Sequence, residues 1–248
     1  MSLKLISIGE TAKKIGVSID TLRRWDKKGR FLAIRKSGKR FYRESDVESF
    51  INQSIISASN LFRDAKEWVS NPDSKEPEAL FYCTNSLIFQ TRLMRFENNL
   101  RQIDGLSELY PLLSAIVGEI GNNSFDHNLG NWRDVPGVFF GYDIKKREVV
   151  LADRGQGIFK TLKRVKPDLV SDEQALEVAF SEIISGRAPE ARGNGLKFVR
   201  KVIVANDMRI SFQTGSAKLE LKKGDVDLPI EKQAEVLNGC LVLINFLS

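Results

Sequence analysis

The sequence predicts an α+β protein built from two parts of different electrostatic character. The chain has 248 residues, enough for one large domain or two ordinary ones. Its net charge of +6 is unevenly spread: residues 1–70 hold 15 of the 38 Lys and Arg residues and 8 of the 32 Asp and Glu residues, which gives +7 there and −1 in the remainder. Such asymmetry predicts a module that binds a polyanion, joined to a neutral module.

Two short helices are predicted near the N-terminus. Residues 7–16 have a helical pattern, and Ser18 is a suitable N-cap for a second helix over residues 19–28. Gly29 follows the second helix and is a suitable C-terminal cap. Because a three-residue turn containing Gly16 joins the two helices, the pattern predicts a helix-turn-helix.

Basic residues mark this region as a candidate surface for nucleic acid. Residues 34–43 alternate basic and aromatic side chains, and Ser37-Gly38 is predicted to form the tip of a hairpin. This composition is typical of a wing that lies against a phosphate backbone, although a solvated basic face is the alternative interpretation. The basic residues of the second helix are Arg23, Arg24, Lys27 and Lys28.

Residues 6–51 resemble the MerR/excisionase-type winged helix-turn-helix. The resemblance is carried by Ile8-Gly-Glu-Thr-Ala12, Gly16-Val-Ser18, Thr21-Leu-Arg-Arg-Trp25 and Gly38-Lys-Arg-Phe-Tyr42. It implies double-stranded DNA as a partner, with Arg23 and Arg24 facing the major groove or its phosphates. Lys27 of the same helix is also predicted to bind DNA. Lys39 and Arg40 would then contact the backbone through the wing. Arginine can read guanine, whereas phosphate contacts give salt-sensitive affinity.

A single long helix is predicted to follow the wing. Ser45-Asp-Val-Glu48 forms a capping box, and apolar residues recur at helical spacing as far as Val69. Two interpretations of this stripe stay open: the two-fold seam of a homodimer, or packing on the chain's own C-terminal domain. The predicted divisions are a DNA-binding domain over 1–52, a connecting helix and linker over 53–79, and a larger domain over 80–248.

Three downstream segments combine polar residues and glycines in a pattern typical of a ligand site. Glu119, Asn123 and His127 are four residues apart, so they share one face of a predicted helix. Asp153-Arg-Gly-Gln-Gly-Ile158 leaves the end of a predicted buried strand. Arg192-Gly-Asn-Gly-Leu196 opens a further helix, and the free amides at a helix N-terminus bind anions. By itself, the third segment therefore predicts an anion-binding site.

In this order the three segments resemble the N box and the two glycine boxes of the GHKL ATPases, the superfamily of gyrase, MutL, histidine kinases and anti-sigma-factor serine kinases. The resemblance covers residues 80–248 and implies an α/β sandwich with a mixed, mostly antiparallel sheet and helices on one face. ATP and Mg²⁺ are the implied ligands. Asn123 would be the magnesium ligand, Glu119 the general base and Asp153 the acceptor for the adenine amino group. The other residues assigned to the nucleotide are Gly155, Gly157, Ile158, Gly193, Asn194, Gly195 and Leu196.

The remainder of the C-terminal domain is less regular. GHKL domains often carry Gly-Thr at the start of the final strand, whereas this chain has Gly239-Cys240 and lacks that hydroxyl. Residues 159–190 are predicted to form a lid over the nucleotide. Two separate strands, over 209–213 and 218–221, are predicted before the last strand at 240–246.

The pattern as a whole predicts a DNA-binding regulatory protein that binds ATP and Mg²⁺, with the nucleotide state controlling the DNA-binding domain and slow hydrolysis using Glu119 as base. Two alternatives stay open: a serine/threonine kinase of the anti-sigma-factor type that acts on a protein partner, and a nucleotide sensor without turnover. Cys83 and Cys240 form no metal or redox motif. No apolar run is long enough to span a membrane, and Gly9, Glu10, Lys13 and Lys14 interrupt any apolar signal core near the N-terminus, so a cytoplasmic location is expected.

Overall fold

A computed structural model of the chain describes residues 4–56, 60–128, 136–182 and 194–246. These residues form two cores with their own sheets, which we call the N-terminal module (residues 4–56) and the C-terminal module (residues 60–246). The N-terminal module has a three-stranded sheet in the order β1-β3-β2. Its elements are β1 (Leu5–Ser7), α1 (Ile8–Ile15), α2 (Ile19–Lys27), β2 (Ile34–Lys36), β3 (Lys39–Arg43) and α3 (Glu44–Ile56).

Local capping signals define the helix-turn-helix as predicted. The Ser7 side chain accepts from the Glu10 amide while the Glu10 carboxylate accepts from the Ser7 amide, which forms a capping box at the start of α1. Gly16 ends α1 at φ 72°, in the left-handed region that favours glycine. Ser18 then caps α2 by accepting from the Thr21 amide. The helix-turn-helix prediction is confirmed.

The predicted wing is the hairpin of β2 and β3. Its tip has positive φ at Ser37 and Gly38, 46° and 73°, as a tight two-residue hairpin turn requires. The buried carboxylate of Asp26, in α2, accepts from Arg40 Nε at 2.7 Å and from Arg35 Nη2 at 3.0 Å. These contacts join the wing to α2.

The predicted connecting helix is two helices. Asn60 adopts φ −161° between α3 and α4 (Leu61–Ser70), and its side chain caps α4 by accepting from the Arg63 amide. Leu61, Ala65 and Trp68 of α4 are buried against the sheet of the C-terminal module. The prediction of one continuous helix was therefore wrong, because the non-helical backbone of Asn60 interrupts it. Of the two interpretations of its apolar stripe, packing on the same chain is correct for α4.

The C-terminal module is a five-stranded sheet in the order β4-β5-β6-β8-β7, with antiparallel pairing between each neighbouring pair. Residues alternate between its two faces. One face packs under α5, α6, α8 and α9 in the larger core, and the other packs under α4. The elements are β4 (Tyr82–Cys83), α5 (Ser86–Arg101), α6 (Leu109–Asn128), β5 (Val138–Asp143), β6 (Glu148–Asp153), α7 (Gly157–Leu162), α8 (Asp172–Ser181), α9 (Gly195–Ala205), β7 (Met208–Lys222) and β8 (Ile230–Phe246).

Strands β7 and β8 are longer than predicted. The two strands expected over 209–213 and 218–221 are one strand, β7, with register shifts between Thr214 and Ala217. Gly215 lies there at φ 53° and breaks the alternation of side chains that a regular strand shows. Strand β8 begins at Ile230 rather than at Cys240 and pairs with β7 along this length.

Helix α5 was not predicted. It has buried apolar residues at Phe89, Phe96 and Leu100, but its inward face also includes Arg92. A buried arginine disguises the apolar stripe on which a sequence prediction depends.

Candidate nucleotide site and nucleic-acid surface

The second glycine motif meets the acidic helix face at Gly195. This residue begins α9, and a Cβ built on it would lie 2.6 Å from Glu119 Oε2 and 3.5 Å from Asn123 Nδ2. Such a short approach to Glu119 is available only to a glycine while the carboxylate keeps its position. Two segments separated by about seventy residues of sequence are thus in direct contact, and Glu119 and Asn123 lie together beside the start of a helix.

Asp153 lies at the end of β6 and is 1% exposed. Its Oδ2 accepts from Ser124 Oγ at 2.7 Å, and its Oδ1 accepts from the Gly155 amide at 2.9 Å. Burial raises the pKa of this carboxyl group, while hydrogen bonds from Ser124, Gly155 and the Cys240 amide act in the opposite direction. Ser124 belongs to α6, so the carboxylate is joined to the helix that carries Asn123.

A buried hydroxyl beside Gly239 comes from Thr214, which lies between the two strands predicted over 209–213 and 218–221. Thr214 of β7 lies opposite Cys240 of β8. Its Oγ1 accepts from the Ile158 amide at 3.2 Å and donates to the Gly239 carbonyl at 3.0 Å. Gly157, at φ 76°, lies so close that a Cβ on it would be 3.0 Å from the same Oγ1. The hydroxyl that Gly239-Cys240 lacks is therefore present on the neighbouring strand.

The remaining residues that were predicted to bind the nucleotide differ in how far they are buried. Gly155 is buried behind Asp153, and Asn194 is exposed immediately before α9. Leu196 packs in part against the larger core. Gly193 lies outside the described residues.

The predicted lid over residues 159–190 needs correction. Helix α8 lies within it, yet Leu176 and Phe180 are fully buried in the larger core. Asp172 at the start of α8 accepts from both the amide and the hydroxyl of Ser216 in β7. The part as far as residue 182 is therefore integral to the fold, and residues 183–190 lie outside the described part of the chain.

Arg154, within the first glycine motif, has a structural role that the sequence analysis missed. Its side chain is on the opposite side of the strand end from Asp153 and is 1% exposed. Its Nη1 donates to the Trp68 carbonyl at 3.2 Å and to Ser74 Oγ at 3.1 Å, and its Nη2 donates to the Pro72 carbonyl at 3.0 Å. The guanidinium thus ties the segment after α4 to the end of β6.

The basic residues of the N-terminal module divide into two groups. Arg23, Arg24 and Lys27 of α2 and Lys39 of the wing are exposed. Arg23 also pairs with Asp20 at 2.8 Å, but both side chains are so exposed that the pair contributes little to stability. Arg40 differs, because its Nε is committed to Asp26, and this ion pair holds the pKa of the Asp26 carboxyl below its usual value. Arg40 therefore acts first as an anchor for the wing.

Comparison with known proteins identifies the N-terminal module. Residues 7–42 match the model described as MerR family regulatory protein. This region is therefore a MerR-like helix-turn-helix domain of the kind that binds DNA in regulatory proteins. Comparison with curated proteins gives no match. Among the helices in the described ranges, none has both the length and the apolar content needed to cross a membrane.

Proposed function

We propose that this chain is an ATP- and magnesium-binding, DNA-binding regulator in which the nucleotide state of the C-terminal module controls the MerR-like module. The observation that carries the proposal is the convergence of the three motifs. Gly195 lies against Glu119 and Asn123, and Ser124 of the same helix binds Asp153. This convergence supports a GHKL-like nucleotide site, with the glycines placed where side chains would obstruct.

The residues present fit an adenine nucleotide. Asp153 is a buried carboxylate that accepts hydrogen bonds from Ser124 and from the Gly155 amide. A fixed acceptor of this kind favours the amino group of adenine, which is a donor, over the guanine carbonyl, which is an acceptor. In addition, α9 is a helix of 11 residues that begins at Gly195, and amides at a helix N-terminus favour phosphate oxygens.

The same face provides groups for magnesium and for catalysis. In the described residues no group of three His, Cys, Asp or Glu side chains could hold a metal ion, so the magnesium would have to arrive with the nucleotide. Asn123 would offer it an amide oxygen, a ligand type that hard cations accept beside phosphate oxygens and water. Bound Mg-ATP supplies a phosphoryl group open to attack. The exposed Glu119 carboxylate would orient a water molecule and take its proton.

Helix α5 offers a physical connection between this site and the helix-turn-helix. Gln90 Nε2 donates to Asn122 Oδ1 at 2.7 Å, next to Asn123 in α6. Half a turn further along, Arg92 donates to the Gly16 carbonyl from Nε at 3.0 Å and from Nη2 at 2.7 Å. Gly16 is the turn residue of the helix-turn-helix. A shift of α6 on nucleotide binding would therefore act through α5 on the DNA-binding module, provided that the two states differ in nucleotide affinity.

Thermal unfolding with ATP, ADP and GTP, each with and without magnesium, tests the site. A ligand at one hundred times its Kd stabilises the native state by about 2.7 kcal/mol. We expect adenine nucleotides to raise the Tm, Asp153→Asn to remove most of this effect, and Asn123→Ala to remove its magnesium dependence. Glu108→Gln, an exposed change just before α6, is the matched control and should respond like the wild type. Equal Tm values for wild type with and without every nucleotide would refute the proposed site.

Turnover then distinguishes the three forms of the proposal. Phosphate release by the wild type that Glu119→Gln lowers at least ten-fold indicates an ATPase. Phosphate transfer to a Ser or Thr of a protein partner, again lost in Glu119→Gln, indicates the kinase alternative. Nucleotide binding with neither phosphate release nor phosphate transfer indicates a nucleotide sensor without turnover. In each case, affinity for a random-sequence DNA duplex measured with ATP and with ADP tests the control of the MerR-like module.

A further inference from the structure

A small cavity lies at the seam between the two modules, away from the nucleotide residues. Its volume is about 40 Å³, and its lining includes Ile51 of α3, Arg92 and Arg95 of α5, and Tyr142 of β5. A single water molecule needs roughly 10–15 Å³ by this measure. The cavity can therefore hold about three water molecules, or one oxyanion group in their place.

Arg92 is unusual among the side chains of this lining, since it is charged and only 4% exposed. Its Nε and Nη2 donate to the Gly16 carbonyl, and Nη2 also donates to the Ala79 carbonyl at 2.6 Å. Its Nη1 has no hydrogen-bond partner within the described residues. The Cys83 thiol forms a side-chain hydrogen bond with Arg92. Burial raises the pKa of that thiol, so it stays protonated and is only a weak acceptor that carries no negative charge.

Arg95 adds a second positive charge at the same place. Its guanidinium donates to the Lys14 carbonyl. Burial lowers the pKa of Arg95 to about 10, so the side chain is still charged at neutral pH. In the described ranges, neither Arg92 nor Arg95 forms a salt bridge with a carboxylate. Two cations thus share a mostly buried space without an acidic partner from this part of the chain.

Capping of α1 explains only part of this arrangement. The carbonyls of Lys14 and Gly16 belong to the C-terminal end of α1, where arginines are favourable. A helix end carries a partial charge of roughly −0.5, however, against two full positive charges from the guanidiniums. Capping also leaves Arg92 Nη1 without a partner. Buried charges are normally paired, so an anion is the component that this site lacks.

We propose that Arg92 and Arg95 bind a small oxyanion, a phosphate or carboxylate group, in the cavity between the modules. Arginine is well suited to such groups because its planar fork can donate two parallel hydrogen bonds. Tyr142 offers a further donor: its hydroxyl accepts from Asn99 Nδ2 at 2.9 Å, and burial raises the pKa of the phenol, so its own proton is retained.

The site has a consequence for the MerR-like module that is separate from the proposed nucleotide function. Both arginines belong to α5 of the C-terminal module and bind carbonyls of α1 in the N-terminal module. An anion that neutralises them reduces the electrostatic cost of keeping them buried at this seam. The bound anion therefore favours the arrangement in which the helix-turn-helix is docked on α5.

Thermal unfolding of the nucleotide-free protein tests the site, with sodium phosphate, sodium acetate and sodium chloride compared at equal ionic strength. We expect phosphate, acetate or both to raise the Tm above the chloride value, by about 5 °C at one hundred times the Kd. A response to phosphate alone identifies a phosphate group as the ligand, a response to acetate alone identifies a carboxylate, and a response to both shows that the site accepts either oxyanion. Equal Tm values in all three salts overturn the proposal.

Matched variants show whether the rise in Tm comes from an anion bound at the two arginines. Arg95→Met should abolish the response, whereas Arg101→Met, an exposed arginine on the same helix, should keep it. Arg92→Met should behave like Arg95→Met, but the test depends on Arg95 because Arg92 is more deeply buried. Asn123→Ala should also keep the response. A response that persists in Arg95→Met, or that is lost in Asn123→Ala, assigns the anion to another site and refutes the inference.

Discussion

Gly195 and Glu119 are in such close contact that a single methyl group at position 195 would approach within 2.6 Å of the Glu119 carboxylate. The contact joins the start of α9 to the middle of α6. It also places the second glycine motif directly beside the acidic face of α6. The obstructing atom is the end of a flexible, exposed side chain, so an added methyl group would displace the carboxylate rather than unfold the module.

We therefore expect Gly195→Ala to leave the free energy of unfolding within about 1 kcal/mol of the wild type, since alanine favours helix at this position. Turnover of ATP should fall at least ten-fold because the displaced Glu119 is the proposed base. Steady-state phosphate release and thermal unfolding measure the two effects. In the Glu119→Ala background, where the carboxylate is absent, Gly195→Ala should have little further effect on turnover. A full additional loss there would contradict the explanation.

Asp153 should give the protein a distinctive pH dependence. Its pKa is raised in the folded state by burial, so the folded protein binds this proton more tightly than the unfolded chain does. The resulting stability is fully present below the unfolded pKa of about 3.9 and is lost as the pH rises through the folded pKa. Asp153→Asn removes this dependence and should raise the Tm at neutral pH while weakening adenine nucleotide binding.

The difference in Tm between wild type and Asp153→Asn, measured from pH 4 to pH 8, isolates this group. The comparison is needed because the folded state lowers the pKa of other carboxyl groups, such as Asp26 and Glu44. The stability that these groups contribute is lost as the pH falls, which is the opposite of the dependence expected for Asp153. A difference that does not change with pH would show that Asp153 is equally ionised in the folded and unfolded states.

Thr214 should be important for the proposed nucleotide site although it lies outside the three motifs. Thr214→Val keeps the shape of the side chain but removes the hydroxyl that joins the Ile158 amide to the Gly239 carbonyl. Loss of one buried partner leaves polar groups unsatisfied, and we expect destabilisation of about 1–3 kcal/mol. ADP affinity should also fall. Thr214→Ser retains the hydroxyl, so it should recover most of the stability and most of the ADP affinity. Denaturation measures the stability, and a binding titration measures the affinity.

Lys39 and Arg40 are neighbours in the wing but should respond differently to substitution. Lys39→Ala removes an exposed cation, so affinity for a random-sequence duplex should fall and the slope of log K against log salt should decrease by about one. Arg40→Ala breaks the ion pair with Asp26, so its main effect should be a lower Tm. Lys145→Ala, an exposed change in the C-terminal module, should alter neither property. Equal changes of salt slope for Lys39→Ala and Arg40→Ala would contradict this division.

Much of the N-terminal module could be predicted because its signals are local. The Ser7–Glu10 capping box, the left-handed Gly16 and the Ser18 cap each depend on residues within four positions along the chain. Such signals can be recognised in the sequence because the residues that form them are close neighbours along the chain. The resemblance likewise predicted that Gly195 and Asn123 would share one site, and the structure brings these two residues together, whereas their assignment to a nucleotide stays a prediction.

The remaining features depend on contacts between residues far apart in sequence, and only the tertiary structure decided them. Thr214 and Cys240 are paired because β7 and β8 align in one register, which neither segment specifies alone. Helix α4 packs on the sheet because the residues of its apolar stripe find apolar partners there, a choice that helical periodicity leaves open. Arg92 looks like a surface residue in the sequence, yet the docking of α1 on α5 buries it. Local propensity determined the elements, whereas long-range packing decided which of their faces meet.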